Sequence, residues 1–178
     1  MTEQSSPSEF DEWFDLFDLS AIADPDDKLA ECEYFLALAS TEQNVFRFRW
    51  LISAFLNAAY SFFEIWALAA FHAFWDDRSE DSYEDPEAVD TLSRYVKIHR
   101  NPNNPSFVKT SGLCEMTEQL YKLRKENTHH NPLSIMVTGP SLPENFHFGD
   151  MTGKGRPALA FCHEAMTLIR RVQQELKA

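Results

Sequence analysis

From Asn44 to Trp75 the chain has no glycine or proline, and within that run WLISAFLNAAYSFFEIWALAAFHAFW holds a single carboxylate, Glu64. Nothing interrupts helical hydrogen bonding here, so the segment is predicted to be one long helix. At about 1.5 Å per residue the apolar stretch reaches roughly 39 Å, more than the ~30 Å hydrocarbon layer of a bilayer. Against a membrane span stand Asn57 and Glu64 near its middle, Ser53 and Ser61 beside them, acids (Asp76, Asp77) directly downstream, and no second comparable run. A helix apolar on nearly all sides is equally the central member of a bundle or a dimer interface. We therefore expect a buried helix, no membrane partner, and a homodimer formed through apolar surface this helix leaves uncovered. Glu64 needs a partner at such a place, with Arg47, Arg49 or a subunit contact as the candidates.

The remaining pattern is also helical. Asp24 followed by Pro25, Asp26 and Asp27 opens a helix that Leu29, Cys32, Phe35, Leu36 and Ala39 continue. Pro86 opens a third through PEAVDTLSRYVKIHR, which NPNNPS breaks; LCEMTEQLYKLRKEN carries a fourth, and Pro157 starts the last. The acidic stretch 76–87 and residues 130–156 read as loops, the second with a short extended piece at 134–137. With only five Gly among 178 residues there are few turns for a multi-stranded sheet. The expected fold is all-α, an irregular up-and-down bundle of about five helices over residues 24–178, preceded by an acidic segment, 1–23. Three cysteines (Cys32, Cys114, Cys162) are too few for a disulfide framework and suit a reducing compartment. The N-terminus lacks the basic start and apolar run of a secretory signal, so the expected location is cytoplasmic.

The net charge of −12 argues against nucleic acid until it is mapped. Residues 1–30 carry −8 and residues 76–90 carry −7, which leaves +3 for the rest and +4 for residues 91–130 alone. Two acidic skins flank a mildly basic region.

That region holds the densest polar cluster, LYKLRKENTHHNP. Arg124 supplies a permanent charge for a phosphate, and His129 an imidazole that can take or give a proton. On a straight helix residues five apart point about 140° apart, so the pair converges within one chain only if the helix ends between them. Asn131-Pro132 supplies such an ending, helped by Asn127 and Thr128. A two-fold partner would bring two such pairs together. The bland alternative is a helix C-terminus decorated with bases that favour the dipole.

These residues resemble the HEPN superfamily of small helical proteins, many of them endoribonucleases of toxin–antitoxin and defence systems. Arg124-Lys-Glu-Asn-Thr-His129 is similar to its signature of Arg, four to six residues, then His. VFRFRWLISAFLNAAYSFFEI resembles the long second helix of one HEPN-like group, and His129-His130-Asn131-Pro132-Leu133 its closing His, two residues, Pro. Many active members carry Asn after the Arg, where this chain has Lys125. The resemblance implies an HEPN-like bundle and a homodimer whose Arg124 and His129 pairs line one cleft and cut RNA without metal or cofactor, supported by Lys125, Asn127 and His130. A non-catalytic interaction or regulatory module, paired with an antitoxin or another regulatory protein, is the alternative it leaves open.

Other constellations are weaker. Arg94 and His99 repeat the spacing in the third helix. Glu126/His129 and Glu144/His147 have the Glu, two residues, His spacing of di-iron bundles, but the second pair falls in a Pro- and Gly-rich loop, so no metal site is expected. His72 and His163 are expected as packed core residues.

Overall fold

The structure, a computed structural model, describes residues 25–101, 103–129, 132–149 and 155–178, with the backbone alone at Pro105, Ser106, Thr128 and His129. The expected segment 1–23, the Asp24 cap and His130 lie outside the described residues. Among the described residues the order is α1 (Pro25–Ala39), α2 (Val45–Phe71), β1 (Phe74–Asp76), β2 (Asp81–Tyr83), α3 (Pro86–Ser93), β3 (Val96–Asn101), β4 (Asn104–Gly112), α4 (Glu115–His129), β5 (Ile135–Val137), a 3-10 turn (Pro143–Asn145), β6 (Phe146–Phe148) and α5 (Ala158–Leu176). The strands make three separate antiparallel pairs, β1-β2, β3-β4 and β5-β6. The chain is therefore mixed α and β, and the all-α bundle expected from the sequence is corrected.

The long helix forms as its sequence requires. The Asn44 side-chain oxygen accepts from the Phe46 and Arg47 backbone N–H groups, satisfying two donors that the first turn leaves open. By length and apolarity α2 would cross a membrane, yet eleven of its side chains, including Phe48, Ile52, Phe55, Phe62 and Phe63, are buried within this chain. α1, α3, α4 and α5 all pack against it. The β5-β6 pair closes one side: Phe146 meets Phe48 edge-on at 4.7 Å, and Phe148 meets Phe161 of α5 at 5.6 Å.

The third helix is shorter than its sequence suggests. Asp85 caps it by accepting from Glu87 N and Ala88 N, and Pro86 occupies the first turn, but it stops at Ser93. Val96 and Ile98 then alternate inward while Lys97 and His99 point outward, which is the two-residue period of a half-buried strand. NPNNPS is thus the bend of a hairpin, with a register shift between Arg100 and Asn101, and not the break between two helices. The expected extended piece at 134–137 is strand β5 over Ile135–Val137.

Thr117 ties the ends of this hairpin to α4. Its buried hydroxyl donates to the Tyr95 carbonyl (2.8 Å) and accepts from Leu113 N (3.0 Å) and Cys114 N (3.1 Å). Gly112 permits the approach: a Cβ there would lie 2.4 Å from Glu118 N and 2.5 Å from Glu118 Cα, both backbone atoms that cannot swing aside. Gly112→Ala is therefore expected to lower unfolding free energy by ~2 kcal/mol in urea titrations, the usual scale for forcing atoms into a packed site. An unchanged midpoint would show that the hairpin is not pinned to α4 at this point.

Candidate functional site

α2 and α4 lie side by side, and the polar residues of both helices meet in one seam. Near the end of α4 the Ser53 hydroxyl donates to Asn127 Oδ1 at 2.9 Å, and the same oxygen accepts from Leu133 N at 3.3 Å. Asn127 thus joins the two helices and holds the chain as it leaves α4. Two turns further along α2, Tyr60 donates to Glu64 Oε1 at 2.5 Å, a pairing that one helical turn of separation allows. The Thr110 backbone N–H of β4 donates to the same oxygen at 3.4 Å, and the Thr110 hydroxyl bonds to that of Tyr121. The Tyr60 and Tyr121 rings meet edge-on at 4.9 Å, and the guanidinium of Arg124 stands 4.2 Å from the Tyr60 ring centre.

This resolves Glu64 differently from expectation. Its partners are Tyr60 and Thr110, whereas Arg47 pairs with Glu42 at 2.9 Å and Arg49 lies over the Phe46 ring. The half-buried carboxylate takes its hydrogen bonds from neutral donors on its own helix and on the hairpin, with the Arg124 guanidinium over the Tyr60 ring. Burial, then the hydrogen bond and charge of Glu64, push the Tyr60 hydroxyl from 10 up to about 12, with Arg124 pulling the other way. Burial likewise raises Tyr121.

Of the residues singled out in the sequence, Arg124 and Asn127 lie in the seam and Lys125 is exposed. Arg124 is half-buried against Tyr60, so it does more than decorate a helix end. The break expected between Arg124 and His129 is absent, because α4 includes both residues. A proline bars the helical conformation chiefly at the residue before it, here Asn131, and the weak helix formers Asn127 and Thr128 do not end α4 by themselves. Positions 124 and 129 therefore lie about 140° apart around the axis of an unbroken helix. The position of the His129 imidazole lies outside what is described.

The rival pair does not converge at a helix end either. Arg94 bonds Thr91 and pairs with Glu175, whereas His99 sits in mid-strand with Nε2 2.9 Å from Ser111 Oγ. Half-buried His72 bonds Ser82 Oγ through Nδ1 (2.7 Å), but His163 is exposed on α5, contrary to expectation. Among the described residues no three His, Cys, Asp or Glu side chains cluster as metal ligands. Cys32, Cys114 and Cys162 are free thiols, and burial pushes Cys32 up to about 12. Sequence reading missed Tyr60, Thr110 and Tyr121. The spacing held a signal for two of them, since Tyr60 is four residues from Glu64 and Tyr121 three from Arg124, each on the same helical face.

Compared with family models, with curated proteins and with solved structures, the chain matches none.

The Tyr60 hydroxyl keeps its proton in the folded chain to higher pH than in the unfolded one. Its stabilisation is thus complete below pH about 10 and is lost as pH rises through about 12. Tyr60→Phe is expected to cost about 1 kcal/mol near neutral pH and to shrink the fall in Tm across that alkaline window. A fall as steep as that of the wild type would detach Tyr60 from the seam.

Proposed function

We propose that the chain is an endoribonuclease that cuts RNA without a metal ion, at a site completed by two copies related by a two-fold axis. In this reading Arg124 of one copy and His129 of the other flank one phosphodiester. The ribose 2′-oxygen attacks phosphorus and loses its proton, the P–O2′ bond forms, the P–O5′ bond breaks, and the leaving oxygen gains a proton. His129 moves one of those protons, while Arg124 neutralises charge building on the phosphoryl oxygens. The products are a 2′,3′-cyclic phosphate and a 5′-hydroxyl. Lys125, Asn127 and His130 support the site, Asn127 by fixing where α4 ends.

One observation carries the two-copy form. Phe46, Trp50, Ala54, Asn57, Ser61, Glu64 and Leu68 fall on one line of α2, and all are half-buried or exposed, Phe46 at 60% and Trp50 at 61%. Such a line, with two large exposed aromatic side chains at its start, suits contact with a second copy of the chain. Ser53, one turn from Trp50, bonds Asn127, two residues before His129. Copies meeting along the stripe would bring both α4 ends to one groove, where Arg124 of one chain and His129 of the other can share a phosphodiester.

The unbroken α4 also favours a second reading, a non-catalytic interaction or regulatory module in which Arg124 serves only to pack Tyr60. Cleavage of a single-stranded RNA with chelator present separates the two. Wild type is expected to yield cyclic phosphate ends, and Arg124→Ala and His129→Ala each to lose at least 100-fold. Mixing the two inactive variants in equal amounts is expected to restore about a quarter of the activity, since half the dimers would then hold one intact shared site. No cutting by wild type would leave the module reading, and variants that do not complement each other would overturn the shared site.

A further inference from the structure

The β3-β4 hairpin has a face that the seam does not use. Its inner face, with Val96, Ile98, Val108 and Thr110, lies against the body. In the register of the pair, Lys97 lies opposite Ser111 and His99 opposite Lys109, and Phe107 is two residues before Lys109, so these side chains share the outer face. Lys97, His99, Phe107 and Lys109 are all exposed, Phe107 at 40%. Lys109 Nζ stands 4.7 Å from the Phe107 ring centre.

The charge here is unlike that of the rest of the molecule. Residues 91–114 contain no Asp or Glu in a chain with 28 of them, and they hold Arg94, Lys97, Arg100 and Lys109. The structure divides these four bases by use. Arg94 pairs with Glu175 on α5, and Arg100 lies 4.2 Å over Phe71 and 3.5 Å from Glu84. Lys97 and Lys109 form no ion pair among the described residues, so the outer face keeps their charge for something outside the chain.

We propose that this outer face binds single-stranded RNA, with Lys97 and Lys109 on backbone phosphates, His99 beside them and Phe107 as a stacking surface for a base. Cations beside an exposed ring on a two-stranded ribbon match the two interactions every single strand offers, a charged backbone and unpaired base faces. A lipid surface could also take the cations and insert the ring, so vesicles form the second arm of the test. The inference rests on the RNA-cutting reading for its choice of RNA over DNA. It deepens that reading by placing a docking surface next to the seam, since Thr110, whose neighbours Lys109 and Ser111 point outward, bonds Tyr121 of α4 on the inner side.

The test is fluorescence anisotropy with a labelled single-stranded RNA of mixed sequence, using the full chain carrying His129→Ala so that binding is read without cutting. Lys97→Ala/Lys109→Ala is expected to weaken binding at least ten-fold and to flatten the slope of log affinity against log salt by about 1.4, the contribution of two single-strand phosphates. Phe107→Ala is expected to weaken binding about ten-fold and leave the salt slope unchanged. All three side chains are exposed, so an unchanged Tm checks the fold. Binding of every variant equal to that of the parent, absence of RNA binding, or hairpin-dependent binding to phosphatidylserine vesicles alone would overturn the proposal. Hairpin-dependent binding without cleavage by the wild-type chain would refute only the shared catalytic site. Cleavage and binding both indifferent to the hairpin variants would refute only the docking face.

Discussion

A carboxylate in the middle of an apolar helix organises this molecule. Glu64 is half-buried, so it gives up part of its hydration on folding and gains from hydrogen-bond donors that replace the lost water. Its hydrogen bonds come from Tyr60 on α2 and from the backbone of Thr110, forty-six residues later. Satisfying Glu64 therefore draws β4 onto α2. Once the hairpin is there, Thr110 meets Tyr121, the two tyrosine rings meet, and Arg124 lies against the nearer ring. Glu64 thus joins the apolar inner face of the hairpin and the Thr117 hydroxyl in holding the hairpin beside α2 and the candidate cation.

Much of the helical framework was legible because its signals are local. The run around Glu64 and the prolines at 25 and 86 mark helices from residues a few positions apart. The strands were not legible for the complementary reason. Val96 and Ile98 alternate over too few residues to be told from a helix end, and their meaning depends on pairing with residues 108–112. The Phe74–Asp76 and Phe146–Phe148 strands are three residues each, below the length at which periodicity speaks at all. Asn-Pro-Asn-Asn-Pro was read as a stop, although the same residues serve a hairpin bend equally well.

The candidate site was legible in part. Arg124 and Asn127 stand out from composition and spacing, and both lie in the seam. The partners of Glu64 did not follow from charge, because neutral donors satisfied it where Arg47 and Arg49 were expected. The helix stop before His129 also failed, since a proline acts most strongly on its immediate predecessor. That failure bears on the proposal: with one continuous α4 the two positions lie on different sides of the helix, and the partly exposed α2 line beside Ser53 is what supports a second copy.

The account therefore stands or falls with the two-copy assembly. Sedimentation velocity on the wild type and on Trp50→Asp, run alongside RNA cleavage by each, addresses it most directly. A carboxylate in place of the most exposed large side chain of the α2 stripe should disfavour close apolar contact while leaving the core, which Trp50 barely enters, intact. The expected result is a wild-type dimer that cuts RNA and a folded Trp50→Asp monomer that does not. A wild-type monomer that cuts RNA, or a Trp50→Asp monomer as active as the parent, would contradict it.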